Sequence, residues 1–176
     1  MENAKESESP CIFVNRELSQ MMIIMTVEEG PKTSISEIKF RGNSRIASSV
    51  LQEITGISVG DPFNEYQMRE ASRKLTERYR SLGHMFVEIS WQRDFSVDMQ
   101  RAAVNYNIIE GPIAKVGQIR IEGAEVTSKK IIRERLSLNS DDVITPDRLD
   151  KSQTLLMELG IFDGVTVEMI SPEIAE

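Results

Sequence analysis

The sequence predicts an α+β fold made of one β-α-α-β-β unit in tandem, and three observations carry that reading. Glu-Gly-Pro occurs twice, at Glu29-Gly30-Pro31 and Glu110-Gly111-Pro112, 81 residues apart. At the same step Ile35 falls on Val116, Ile38 on Ile119, Phe40 on Ile121, Gly42 on Gly123, Asp61 on Asp142 and Leu75 on Leu156. Within each copy the apolar period changes from two to that of an amphipathic helix and back, as strand, helix and strand require. Apolar positions, turn glycine and loop aspartate returning in step mark a repeated folded unit.

The first complete unit begins after Pro31. Ile38 and Phe40 alternate with Glu37, Lys39 and Arg41, which predicts a strand with one apolar face. Gly42-Asn43 should turn the chain, since both residues tolerate positive φ. A short helix follows, with Ile46, Val50, Leu51 and Ile54 on one face. After a loop over 56–62, Asn64 and Gln67 have capping-box spacing, and a longer helix is expected to run to Gly83. Its apolar stripe is Met68, Ala71, Leu75, Tyr79 and Leu82. The second strand is expected over Met85–Gln92, with Met85, Val87, Ile89 and Trp91 alternating against Glu88, Ser90 and Gln92, and Phe86 outside the pattern. A polar connector over 93–101 leads to a third strand, Ala103–Ile109.

The second unit repeats the first half of this order. A strand is expected over Val116–Glu122, a turn at Gly123, and a short helix bearing Ile131, Ile132 and Leu136. Thr145-Pro146 supplies an N-cap and a first-turn proline for a helix with Leu149, Leu155, Leu156 and Leu159 on one stripe, stopped at Gly160. Val165, Val167 and Met169 predict a strand over Phe162–Ile170. The third strand then has no residues before Glu176. Conversely, Ile23, Met25 and Val27 match Val104, Tyr106 and Ile108, so residues 22–29 read as the last strand of a preceding unit. Cys11–Val14 is a further short strand candidate. The expected organisation is a tail and remnant strands over 1–30, a complete unit over 31–111, and a unit lacking its third strand over 112–176.

Composition narrows the function classes. Lys and Arg number 21 against 28 Asp and Glu, a net charge of −7, which opposes a phosphate-binding surface. Lys129, Lys130, Arg133 and Arg135 cluster on a helix and read as a solvated face. Cys11 is the only cysteine, which excludes an intramolecular disulfide and a cysteine metal cage. The apolar run at Met21–Met25 is far too short to cross a bilayer. The polar, acidic N-terminus has no signal core, which fits a cytosolic protein or the interior of an exported one.

The order and spacing of these motifs resemble the POTRA (polypeptide-transport-associated) domain, as found in BamA-like outer-membrane β-barrel assembly proteins. Val27-Glu28-Glu29-Gly30-Pro31, Ile38-Lys39-Phe40-Arg41-Gly42-Asn43, Gly60-Asp61-Pro62-Phe63 and Tyr79-Arg80-Ser81-Leu82-Gly83-His84 carry it in the first copy. Ile119-Arg120-Ile121-Glu122-Gly123 and Leu159-Gly160-Ile161-Phe162 carry it in the second. Ala124 in place of the turn asparagine, and His84 where an aromatic is common, depart from the pattern. The resemblance implies a three-stranded mixed sheet on two antiparallel helices, with the third strand central, parallel to the first and antiparallel to the second. The second strand, Met85 to Gln92, is then an open edge for β-augmentation by unfolded outer-membrane protein strands. It also implies a periplasmic location, accessory assembly proteins as partners, and a C-terminal β-barrel in the parent, which makes this chain an excised fragment. TamA-like and two-partner-secretion transporters carry the same units.

Candidate chemistry is sparse. His84 is the only histidine, which leaves no pair for a metal and no recurring nucleophile partnership, so neither catalysis nor a cofactor is expected. It reads as a turn residue, Asp61 and Asp142 as loop caps, and Trp91 as core. A KH-like nucleic-acid module shares the β-α-α-β order, but the loop Gly56-Ile57-Ser58-Val59-Gly60 is one residue too long for Gly-x-x-Gly. Its counterpart, Ser137 to Asp142, lacks glycine and carries two carboxylates. The two loose ends suggest one more expectation, that Ile23, Met25 and Val27 of one molecule complete the second unit of another.

Overall fold

The computed structural model describes residues 13–15, 20–28, 30 and 32–170. The expected tail over 1–10, Cys11, Glu29 and Pro31 of the first Glu-Gly-Pro, and residues 171–176 lie outside the described residues. The chain divides into two compact units, Met1–Pro31 and Lys32–Glu176.

In the first unit, β1 (Phe13–Asn15) pairs antiparallel with β2 (Gln20–Met22), Phe13 opposite Met22 and Asn15 opposite Gln20. This corrects the strand expected over 22–29. Residues 23–28 form no strand, and Ile23, Met25 and Val27 are 82%, 80% and 70% exposed. Alternation selects which face a strand buries, but a strand persists only beside a partner that takes its backbone bonds.

The second unit holds both repeats. In the first, β3 (Ser34–Arg41), α1 (Ser48–Thr55), α2 (Glu65–Ser81), β4 (Glu88–Phe95) and β5 (Arg101–Ile109) follow in order. The sheet order is β3-β5-β4, with β5 central, parallel to β3 and antiparallel to β4. Ala102, Val104, Tyr106 and Ile108 of β5 point at the helices and are almost fully buried. They meet Met68, Ala71, Leu75 and Tyr79 of α2, Leu51 of α1 and Ile35 of β3 in one core. Full burial of one such side chain contributes about 1.5–3 kcal/mol. Asn64 caps α2 by accepting from the Tyr66 N–H at 2.9 Å. α2 ends at Ser81, before Gly83, and Leu82 is 40% exposed rather than part of the stripe. Val50 of α1 likewise turns outward.

The second strand is shifted by three residues from the sequence expectation. Met85, Phe86 and Val87 precede β4 in a turn held by the Met85 N–H to Gly83 O (3.0 Å) and the Val87 N–H to His84 O (3.3 Å). Met85 and Val87 are buried and Phe86 is exposed, so the turn keeps the alternation without being a strand. β4 runs on through Arg93, Asp94 and Phe95, and β5 starts at Arg101, because their mutual register begins at Phe95 opposite Ala102.

The second repeat contains α3 (Lys129–Arg135) and α4 (Pro146–Met157), with Ile132, Leu156 and Ser152 buried. Leu149, Leu155 and Leu159 are half-buried and Ile131 is exposed. No strand forms over Val116–Glu122 or Phe162–Ile170, contrary to the sequence expectation. Among the described residues no central strand stands between these segments, and without one neither flank has a ladder to join.

Candidate interaction edge and the junction between repeats

β4 bounds the sheet, and the direction of its backbone groups follows from one bond. The Ser96 N–H donates to Arg101 O at 2.9 Å, in the register that places Glu88 opposite Ile109. Antiparallel ladders alternate, so Glu88, Ser90, Gln92 and Asp94 spend their N–H and C=O groups on β5. Those of Ile89, Trp91, Arg93 and Phe95 point away from the sheet, and no described strand pairs with them. The even positions face solvent with their side chains, whereas Ile89 and Trp91 lean on the core. Hydrophobic alternation marked which side chains of this strand lean on the core, but it gave no signal for the in-plane direction of each amide.

The helix-side face of β4 is aromatic. Phe63 lies 6.5 Å from Trp91 and meets Phe95 edge-on at 5.5 Å. The Arg93 guanidinium sits 5.5 Å over the Phe95 ring and pairs with Glu65 of α2. On the other face, the Asn105 amide donates to Asp94 at 3.1 Å. The sequence reads Arg93, Asp94 and Phe95 as connector, whereas their pairing with β5 makes them strand.

The Glu-Gly-Pro motif has a structural task. Glu110, just past β5, accepts from the Ser44 hydroxyl, the Arg45 N–H (2.8 Å) and the Tyr79 hydroxyl (3.1 Å). It thereby ties the central strand to the turn after β3 and to α2. Burial, the largest single influence, pushes the Glu110 carboxyl up, but these donors together outweigh it and hold it below the usual range. The Tyr79 hydroxyl is raised, by burial first and then by Glu110. Burial alone pushes Tyr106 up to about 12.

Gly42 has φ +81, and a Cβ there would stand 2.0 Å from Ile108 O. Asn43 supports the same turn, its amide donating to Ile46 O at 2.9 Å. Gly123 has φ +72 but open space around it.

Asp61 and Asp142 do the same work in the two repeats. Each carboxylate accepts from the N–H three residues earlier, Ser58 at 2.8 Å and Asn139 at 2.9 Å. Each backbone oxygen takes an N–H from the start of its repeat, Ile35 at 2.8 Å and Val116 at 2.9 Å. The Asn139 N–H, with Arg148 beside it, holds the Asp142 carboxyl below its usual range despite desolvation.

Between the repeats, the Ala114 N–H donates to Gly83 O at 2.9 Å. Gly83 has φ +93, and a Cβ on it would come within 2.4 Å of Val143 Cγ1 and 3.2 Å of Ile113 Cγ2. His84 is 4% exposed, with Nδ1 3.0 Å from Gly111 O and its ring edge-on to Tyr79. The sequence marked His84 only as a turn residue, and its burial against Tyr79 and Gly111 appears only in the fold.

A sequence profile of the POTRA family, described as "Surface antigen variable number repeat", matches residues 33–111 and 114–175. The chain belongs to the POTRA family. Its two POTRA repeats are similar to the outer membrane protein assembly factor BamA of Neorickettsia risticii, 26% identical over 152 residues that make up 84% of this chain and 20% of that protein. BamA of Neisseria meningitidis serogroup B is 22% identical over 160 residues, 90% of this chain and 20% of that one. The chain thus spans about a fifth of these relatives' length. Among solved structures, POTRA3-5 of Haemophilus influenzae BamA matches with a TM-score of 0.62 at 17% identity, covering 90% of this chain and 63% of that one. BamA of Haemophilus ducreyi lacking POTRA domains 1-3 gives 0.64 at 16% identity, covering 81% and 27%. These likenesses place both repeats in the POTRA fold.

Proposed function

We propose that this POTRA pair is a non-catalytic periplasmic module of a BamA-like protein that binds unfolded outer-membrane protein segments by β-augmentation at β4. On this reading it also scaffolds the accessory assembly proteins beside the parent's own β-barrel. The observation that carries the reading is the row of outward backbone groups at Ile89, Trp91, Arg93 and Phe95 on an edge eight residues long. Such a row offers hydrogen bonds to any extended chain irrespective of its side chains, which suits a receptor for many different strands. The aromatic face at Trp91 and Phe95 favours clients whose apolar residues recur every second position, the pattern of membrane β-strands. The similarity to BamA proteins, assembly factors of the outer membrane, supports the client class and the location. Among the described residues no helix is long and apolar enough to cross a membrane.

The test uses Arg93, whose outward N–H can be removed without touching the aliphatic core. Arg93→Pro deletes the donor and the Glu65 pair, whereas Arg93→Ala deletes only the pair and the cation–π contact. Fluorescence anisotropy with a labelled ten-residue outer-membrane strand peptide should show about tenfold weaker binding for Arg93→Pro than for Arg93→Ala, the ~1.4 kcal/mol that one hydrogen bond of this kind contributes. Equal affinity in the two variants means that β4 is not the docking edge.

A further inference from the structure

The other boundary of the first repeat's sheet is β3, and the chain's own loop covers only part of it. At its start β3 is already covered. The extended strap Gly60–Phe63 runs antiparallel along it, with the Ile35 N–H to Asp61 O at 2.8 Å, the Gly60 N–H to Ile35 O at 2.8 Å, and Ser34 bridged to Pro62. At Gly60, φ +98, the strap turns off the edge.

Beyond that point the edge continues without a cover among the described residues. The parallel register sets Ile38 opposite Val104 and Phe40 opposite Tyr106, and the Ser34 N–H to Gln100 O bond shows that the even positions of β5 face β3. Glu37, Lys39 and Arg41 therefore bond to β5, and the backbone groups of Ile38 and Phe40 point outward. A shallow open groove lies alongside, lined by Ile38, Lys39, Phe40, Ser48, Ser49 and Gln52, between this edge and the first turns of α1. On the solvent face Lys39 is spent on Glu37 at 2.7 Å. Arg41 has no ion-pair partner among the described residues, so this end of the edge carries an uncompensated positive charge.

We infer that the Ile38–Phe40 edge binds a short extended polypeptide segment, antiparallel to β3 and in line with the strap. Its inward side chains are small and apolar, and an acidic residue sits beside Arg41. The strap at one end and the Gly42 turn at the other limit the guest to about five residues, at about 3.4 Å each. This separates it from the eight-residue β4 edge, and it neither needs nor supports binding there. The strap recurs in the second repeat, where the Val116 N–H reaches Asp142 O at 2.9 Å and the Asp141 N–H reaches Val116 O at 2.8 Å. Ile119 and Ile121 stand at the positions of Ile38 and Phe40, but no strand forms there, so what recurs is the strap and not the edge.

The probe is the capped pentapeptide Ac-Asp-Val-Thr-Val-Thr-amide, titrated into the isotope-labelled full chain and followed by amide NMR. The Ile38 and Phe40 amides should shift on binding, and at saturation their solvent exchange should slow about fivefold or more. Ser49→Trp fills the groove from an exposed helix position and should weaken the peptide about tenfold with unchanged circular dichroism. Replacing the peptide's Asp with Lys should weaken it several-fold. The inference is overturned if the Ile38 and Phe40 amides stay unmoved, if only the β4 amides respond, or if Ser49→Trp binds as tightly as the unaltered chain.

Discussion

The two POTRA repeats share a loop architecture bond for bond, yet among the described residues only the first has a sheet. Ile35 and Val116, Gly60 and Asp141, Asp61 and Asp142 make equivalent bonds, and both helix pairs form. What differs is the central strand. β5 buries four side chains in the first repeat and gives both flanking strands their backbone partners. The second repeat has no such strand among its described residues, and its Val116–Glu122 and Phe162–Ile170 segments stay outside any sheet. Helices and turns satisfy their bonds within a few residues of sequence, so they survive the difference. Strands borrow theirs from a neighbour, so they do not.

The largest expected effect separates the two ladder directions within the first repeat. Ser90→Pro removes a donor aimed at β5, and by analogy with proline inside other regular structure should cost about 3 kcal/mol or more. Arg93→Pro, on the open side, should cost well under half of that in urea unfolding. Similar midpoints for the two would contradict the assigned alternation.

A second comparison spans the repeats. Gly42→Ala meets both a positive φ, about 1–2 kcal/mol, and a clash with the backbone of β5, about 1–3 kcal/mol more. Gly123→Ala meets only the first. Thermal denaturation should rank Gly42→Ala clearly below Gly123→Ala, and the reverse order would mean that β5 does not pass over Gly42.

A smaller effect tests the Glu110 tie of the first repeat. Glu110→Ala should cost roughly 1–3 kcal/mol, since it strands the donors of Arg45 and Tyr79. The folded carboxyl titrates below its ordinary value of 4.5. The stability it contributes is therefore present above that value and lost as pH falls through the lower folded value. Glu110→Gln should flatten the acid limb of stability against pH, and an unchanged slope would assign that limb to other carboxylates.

The subtlest test addresses the central position of the second repeat, which no described strand fills. We propose that Ile23, Met25 and Val27 of one 176-residue chain fill the central position in the second repeat of another. Light scattering at micromolar concentration should show association that is absent in a chain lacking residues 1–29. Monomers in both cases would rule this strand exchange out.

How far the sequence reaches is visible in particular elements. The polarity of the β3, β4 and β5 faces, the Asn64 cap and the buried row Met68-Ala71-Leu75-Tyr79 were legible because each depends on residues close together in the chain, and the step of 81 because it is a repetition in the sequence itself. The central place of β5 was legible only through the family resemblance. Tertiary structure alone decided that β4 starts at Glu88 and ends at Phe95, since register is a property of a pair and β5 is the other member. It also decided which amides face out, because side-chain patterning reports the two faces of a sheet and says nothing about direction within its plane. Glu110 shows the same division. The sequence marked it by repetition, but its partners Ser44, Arg45 and Tyr79 lie far along the chain, and only folding brings three donors to one carboxylate.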